Sequence, residues 1–196
     1  MLENLVRFSY PYPVAATYQS LESIVYPEEM PQKFNRIIDL YDCILKTLNY
    51  SLLGLSFHNR LLNPSLKKKL EVTLKNPVFS NWTDLLATLL ENLAPTKEPL
   101  VESIRRFYYA PDPSLARVRD AVYFMLSKPT SVGDVKEITV ARFFEDFNRY
   151  VSHSDVKAGK NFTKPVEVLM PVFREILEKM DFFRDYALVY IPQIQL

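Results

Sequence analysis

Apolar residues recur at three- and four-residue spacing along most of the chain, the period of an amphipathic helix, and prolines stand between the periodic segments. Residues 1–13 are bounded by Pro11 and Pro13 and read as an extended arm. Pro13 then opens a short helix over 13–25, with Val14, Tyr18, Leu21 and Val25 on one side. The longest segment, 31–60, keeps Phe34, Ile37, Ile38, Tyr41, Ile44, Leu45, Leu48, Leu52 and Leu55 on one stripe, as the spine of a bundle would. Asn63-Pro64 ends it, and a basic helix over 65–75 follows with Lys67, Lys68 and Lys69. Ser80 is the expected N-cap of a helix over 81–93, whose stripe is Trp82, Leu85, Leu86, Leu89, Leu90 and Leu93. Pro99 opens the next, with Leu100, Ile104, Phe107 and Tyr108 inward, and Asp112-Pro113 caps and starts another over 113–127.

Residues 139–153, TVARFFEDFNRYVSH, divide most sharply into two faces. At about 100° per residue, Val140, Phe143, Phe144, Phe147, Tyr150 and Val151 form an apolar side. Arg142, Glu145, Asp146, Arg149 and His153 fall on or near the other, with Arg149 and His153 one turn apart. A charged tail, SDVKAGKN, then breaks the helix with Gly159. A last helix over 164–186 carries Val168, Leu169, Val172, Phe173, Ile176, Leu177 and Met180, with Pro171 expected to kink it. The terminal ALVYIPQIQL reads as a short edge strand, or as the stub of something continuing in a longer protein. The expected fold is all-α: a single-domain bundle of about seven to eight helices around a long central one, with that strand at its end.

Composition narrows the function classes. The 196 residues suffice for one well-cored domain, and 48% hydrophobic content excludes a mostly disordered chain. Thirteen Phe and twelve Tyr predict a ring-rich core, and three glycines leave few turns that rely on positive φ. Net charge is +1, so nucleic acid would be drawn only by a local patch. Cys43 is the single cysteine and His58 and His153 the only histidines, which excludes a disulfide framework and a nitrogen-and-sulfur zinc site within one chain. No cofactor is expected. Neither a signal peptide nor a membrane-length apolar run is recognised, and a cytoplasmic, non-membrane protein is expected.

No glycine-rich phosphate loop, nucleophile elbow or HExxH motif is present. Adjacent Glu145 and Asp146 point differently along their helix and read as exposed, solvated carboxylates rather than a paired acid and base. The sharper lead is Arg149 with His153. A guanidinium can hold a phosphate while an imidazole moves a proton, unless both merely belong to a wet helix face.

FNRYVSHS resembles the R-N-x-x-x-x-H-G sequence near the end of a core helix in the HEPN superfamily (higher eukaryotes and prokaryotes nucleotide-binding). SNWTDLLATLLENL and YPYPVAATYQSL are similar to segments of bacterial HEPN-like N-terminal modules, which often precede another domain. Active members, so the resemblance implies, are metal-independent ribonucleases that act across a dimer of such helices. On that pattern the polar motif residue is Asn148 and the histidine is His153, while Phe147 occupies the arginine position and Ser154 the glycine position. Arg149 stands two residues away as a displaced candidate. Loss of a charge-stabilising group commonly costs ~3 kcal/mol of transition-state stabilisation, which favours a degenerate, non-catalytic module.

Three functional expectations follow. The first is an interaction or sensing module, in a bacterial defence or regulatory protein, that dimerises through 139–153 or binds a protein, RNA or nucleotide. The second is a metal-independent endoribonuclease using His153, Asn148 and Arg149. The third is a structural N-terminal domain fused to a functional partner domain. Nucleic-acid contacts would come from Arg149, Tyr150, Lys157, Lys160 and Lys164, with Lys67 to Lys69 and Arg105-Arg106 as further basic spots.

Overall fold

The structure, a computed structural model, describes residues 2–112, 116–126, 138–152 and 162–185. These residues are helical almost throughout. Among the described residues, nine α-helices run in the order α1 (Leu2–Ser9), α2 (Tyr12–Glu22), α3 (Met30–His58), α4 (Pro64–Lys75), α5 (Phe79–Leu93), α6 (Pro99–Tyr109), α7 (Ala116–Leu126), α8 (Val140–Ser152) and α9 (Thr163–Lys179), with 3₁₀ turns at Pro27–Glu29, Ala94–Thr96 and Asp181–Asp185. No strand occurs among the described residues, and the segment expected to end in one, 187–196, lies outside them.

The long apolar stripe becomes the spine. Phe34, Ile37, Tyr41, Ile44, Leu45, Leu48 and Leu52 are all buried on α3, which packs against α2, α5 and α9. Helix α8 packs against α5, α6 and α7, and α9 bridges α3, α7 and α1. One continuous apolar cluster runs from Val6 on α1 to Phe183 beyond α9. Its centre is a knot of rings: Tyr41 makes edge contacts with Phe79, Phe144, Phe147 and Phe173 at centroid distances of 5.1, 5.0, 4.9 and 6.3 Å. Such offset and edge-on pairs add to simple area burial because ring edges are positive and ring faces negative.

Several local expectations are corrected. Residues 2–9 are helical rather than extended, because Leu2, Leu5 and Val6 stand at helical spacing and cover α2 and α9. Pro11 ends that helix without forbidding it. Tyr10 then turns inward, and its hydroxyl donates to the Leu177 carbonyl of α9. Helix α2 stops at Glu22, so Val25 is 66% exposed and Ile24 is buried in its place. Ser80 is not an N-cap. Helix α5 starts two residues earlier, with Val78 at the cap and no side-chain cap bond, while Asn81 Nδ2 donates back to the Asn76 carbonyl at 2.8 Å. Asn63 caps α4 as expected of its residue type, its Oδ1 accepting from the Leu66 N–H at 2.8 Å. The described positive-φ positions are Arg60 and Lys97, neither of them glycine. Pro171 lies inside α9, where its missing N–H leaves the Glu167 carbonyl without its helical donor.

A bidentate pair ties the two ends of the chain together: Arg174 on α9 donates to both carboxylate oxygens of Glu22 on α2, at 2.9 and 2.7 Å. Burial pushes the Glu22 carboxyl up, but hydrogen bonds from Arg174 and Tyr18 outweigh it and hold the group below its ordinary value. A lowered folded-state pKa contributes stability above the unfolded pKa and loses it as pH falls through the folded value. Urea midpoints are therefore expected to fall between neutral pH and pH ~3 by more in the native chain than in Glu22→Gln; because Arg174 is half exposed, the difference should be only about 0.5 kcal/mol. Equal pH slopes in the two chains would show that the pair contributes nothing.

Candidate functional site on helix α8

Thr139 starts α8: its Oγ1 accepts from the Arg142 N–H at 3.1 Å and its carbonyl from the Phe143 N–H at 3.1 Å. Val140, Phe143, Phe144, Phe147 and Val151 are buried, as the pattern predicts, and Tyr150 is half-buried. The buried sector is wider than that apolar side. Ala141, Asp146 and Asn148 are buried too, so roughly 220° of the helix circumference faces other parts of the protein. The exposed wedge carries Arg142, Glu145, Arg149 and Ser152.

Asn148 is 8% exposed and its amide faces inward. Its Oδ1 accepts from the Tyr41 hydroxyl at 2.6 Å, and its Nδ2 donates to Thr83 Oγ1 at 3.2 Å. Thr83 in turn donates to the Ser80 carbonyl at 2.9 Å. A polar chain thus runs from α3 through α8 to α5 inside the apolar core. Burial holds the Tyr41 hydroxyl well above its ordinary pKa, so it stays a proton donor to Asn148 across the whole working range.

Asp146 was expected in water but is 2% exposed. It stands at the edge of the buried sector, and the arginines four residues before and three after close over it. Arg142 Nε donates to Oδ2 at 2.7 Å, and Arg149 Nη1 lies 3.4 Å from Oδ1. The carboxylate therefore offsets part of the positive charge of both arginines. Arg149 is 59% exposed in its side chain, but it is engaged in this pair.

The other predicted contacts are dispersed. Tyr150 is half-buried beside Phe124 of α7, with ring centroids 6.0 Å apart, and burial raises its hydroxyl pKa. Lys164 is exposed in the first turn of α9, next to Phe162, whose ring packs on Phe34 of α3 at 5.2 Å. His153, Lys157 and Lys160 lie outside the described residues. The Lys67–Lys69 run borders a groove of about 500 Å³ between α4 and α5, where Lys68 and Lys69 share the walls with Asp84 and Glu91. Those carboxylates offset the lysines and lower the groove's attraction for phosphate.

Among the described residues, no group of three or more His, Cys, Asp and Glu side chains could hold a metal ion, and no helix is long and apolar enough to cross a membrane. Sequence reasoning missed Tyr41 and Thr83 as partners of Asn148. The available signal was a tyrosine in the middle of an aliphatic stripe, since a buried phenol usually finds an acceptor. Comparison with protein-family models, curated proteins and solved structures gave no match for this chain.

Two substitutions test this geometry. Tyr41→Phe keeps the ring but leaves Asn148 Oδ1 without its donor, and is expected to cost about 1–3 kcal/mol in urea unfolding. Phe147→Arg puts a guanidinium at a fully buried position, and should lower Tm by about 10 °C or more. A Tm within about 2 °C of the native value, too small for such a loss, would show that α8 can turn this position outward.

Proposed function

We propose that the chain is a non-catalytic, HEPN-like interaction or sensing module rather than an endoribonuclease. The observation that carries this reading is the inward register of Phe147 and Asn148. Phe147 is 0% exposed in the ring cluster, stacked on Phe143 at 5.8 Å, and Asn148 has both ends of its amide engaged by Tyr41 and Thr83. The residue standing where a catalytic arginine would be needed is core, and its polar neighbour is a structural strut. Arg149 could replace the arginine only by leaving Asp146, which would strip a buried carboxylate of one of its two cations.

The outward wedge of α8 offers Arg142, Glu145 and Arg149, a charged face without exposed apolar side chains. Docking through it would rest on charge pairing rather than apolar burial, and would weaken with salt.

The test is incubation of the native chain and His153→Ala with single-stranded RNA in excess EDTA. Both are expected to leave the RNA intact. Cleavage by the native chain that yields cyclic phosphate ends and is lost in His153→Ala would overturn the reading in favour of a metal-independent ribonuclease.

A further inference from the structure

Helix α6 carries two stripes. Leu100, Val101, Ile104 and Tyr108 are buried in the core, whereas Ser103, Arg106 and Phe107 follow i, i+3, i+4 along a second side, continued by Ala110 just past the helix end. That second stripe forms one wall of a cavity of about 390 Å³, completed by Pro111, Asp112, Val140, Lys179, Asp181 and Phe182. Its volume lies within the usual range of small-molecule sites, about 300–1,000 Å³. Phe107 and Phe182 meet edge-on with centroids 5.7 Å apart, giving the cavity an aromatic wall.

The charges here are unequally satisfied. Asp112 Oδ2 is 2.7 Å from Lys179 Nζ, and Asp181 Oδ2 is 3.2 Å from Arg184 Nη2. Both carboxylates therefore have cations of their own. Arg106 has no ion-pair or hydrogen-bond partner among the described residues, nor does the half-buried Ser103 hydroxyl one turn before it. A guanidinium and a hydroxyl on one wall, facing apolar and aromatic groups, are the complement of an organic anion with a compact apolar body.

We propose that this cavity binds a small monocarboxylate whose apolar or aromatic body packs on Phe107 and Phe182, with its carboxylate on Arg106 and Ser103. One uncompensated cation matches one negative charge. The lining carries Arg106 and Lys179 against Asp112 and Asp181, a balance that matches one negative charge on the ligand better than a dianion or polyphosphate. This site lies apart from the outward wedge of α8, and the proposal does not depend on whether that helix is catalytic.

The experiment uses the full chain and ligand-observed NMR titration with phenylacetate, hexanoate, phenylacetamide and inorganic phosphate. Phenylacetate should bind saturably, hexanoate more weakly, and the neutral amide and phosphate not measurably. Arg106→Gln should weaken phenylacetate about tenfold or more, the loss expected of one charge-assisted contact. Arg105→Gln, one residue away and not lining the cavity, should bind as the native chain does. Equal binding by Arg106→Gln, equal binding of the amide, or no saturable binding of either carboxylate would overturn the proposal. Phosphate binding that needs Arg106 would also overturn it, by assigning the cavity to a phosphate-bearing ligand instead.

Discussion

The hydrogen-bonded run from Tyr41 through Asn148 to Thr83 sets the geometry on which the rest of the molecule depends. Its three residues sit on α3, α8 and α5, and every member is buried. Apolar packing alone would tolerate small rotations of one helix against another, since rings and aliphatic chains make non-directional contacts. A buried amide does not. If α8 turned enough to part Asn148 from Tyr41, a phenol, a carbonyl and an amide would lose partners in a place where water cannot replace them. The ring contacts around Tyr41 then follow from that one fixed rotation, because Phe144 and Phe147 can both touch it only with Asn148 turned inward.

That same rotation decides what α8 can present. Successive helical residues differ by about 100°, so an inward Asn148 puts Arg149 outward and leaves Phe147 in the core. The charged residues become a narrow wedge, and the one carboxylate at its edge, Asp146, is roofed by Arg142 and Arg149. Buried ion pairs contribute little net stability, because desolvation opposes their attraction, yet they are costly to break from one side. Charge attraction therefore keeps Arg149 near Asp146, at 3.4 Å and without a hydrogen bond to Oδ1. An arginine used in this way is poorly suited to follow a phosphate through a reaction, where the favourable contact must strengthen in the transition state.

The bundle was legible where periodicity was strong. The stripe of α5 lies in the core residue for residue, and that of α3 does so except for Ile38 and Leu55, which are half-buried, because a helix with six or more apolar positions on one side has only one way to bury them. Legibility failed where a few residues decided between alternatives. The N-terminal segment has only Leu2, Leu5 and Val6 to mark a helix, and two prolines nearby outweighed them in the reading. Asp146 looked solvated because charge predicts exposure on average, while its two arginines, at helical spacing, were already visible in the sequence and were read only as neighbours on a wet face. Asn148 was read as a motif residue, and nothing local reveals that its partner stands 107 positions away on α3. Short-range pattern reports faces; long-range polar pairing needs the fold.

The distribution of paired and unpaired charge gives a further criterion for separating structure from binding. Across this surface most of the described ion pairs lie within a single helix at i, i+3 or i+4, as Arg36 with Asp39 and Lys75 with Glu71 do. Such exposed pairs contribute little to stability, and a solvated arginine is unremarkable on an open face. The meaning changes inside a concavity. There, neighbouring carboxylates already held by other cations leave a guanidinium uncompensated. Arg106 is in that situation and Arg149 is not. The basic residue that sequence reading favoured sits on the helix with the sharper amphipathic pattern, yet its charge is engaged at home. Arg106, named only within a further basic spot on α6, has no charge partner among the described residues and stands beside an aromatic wall.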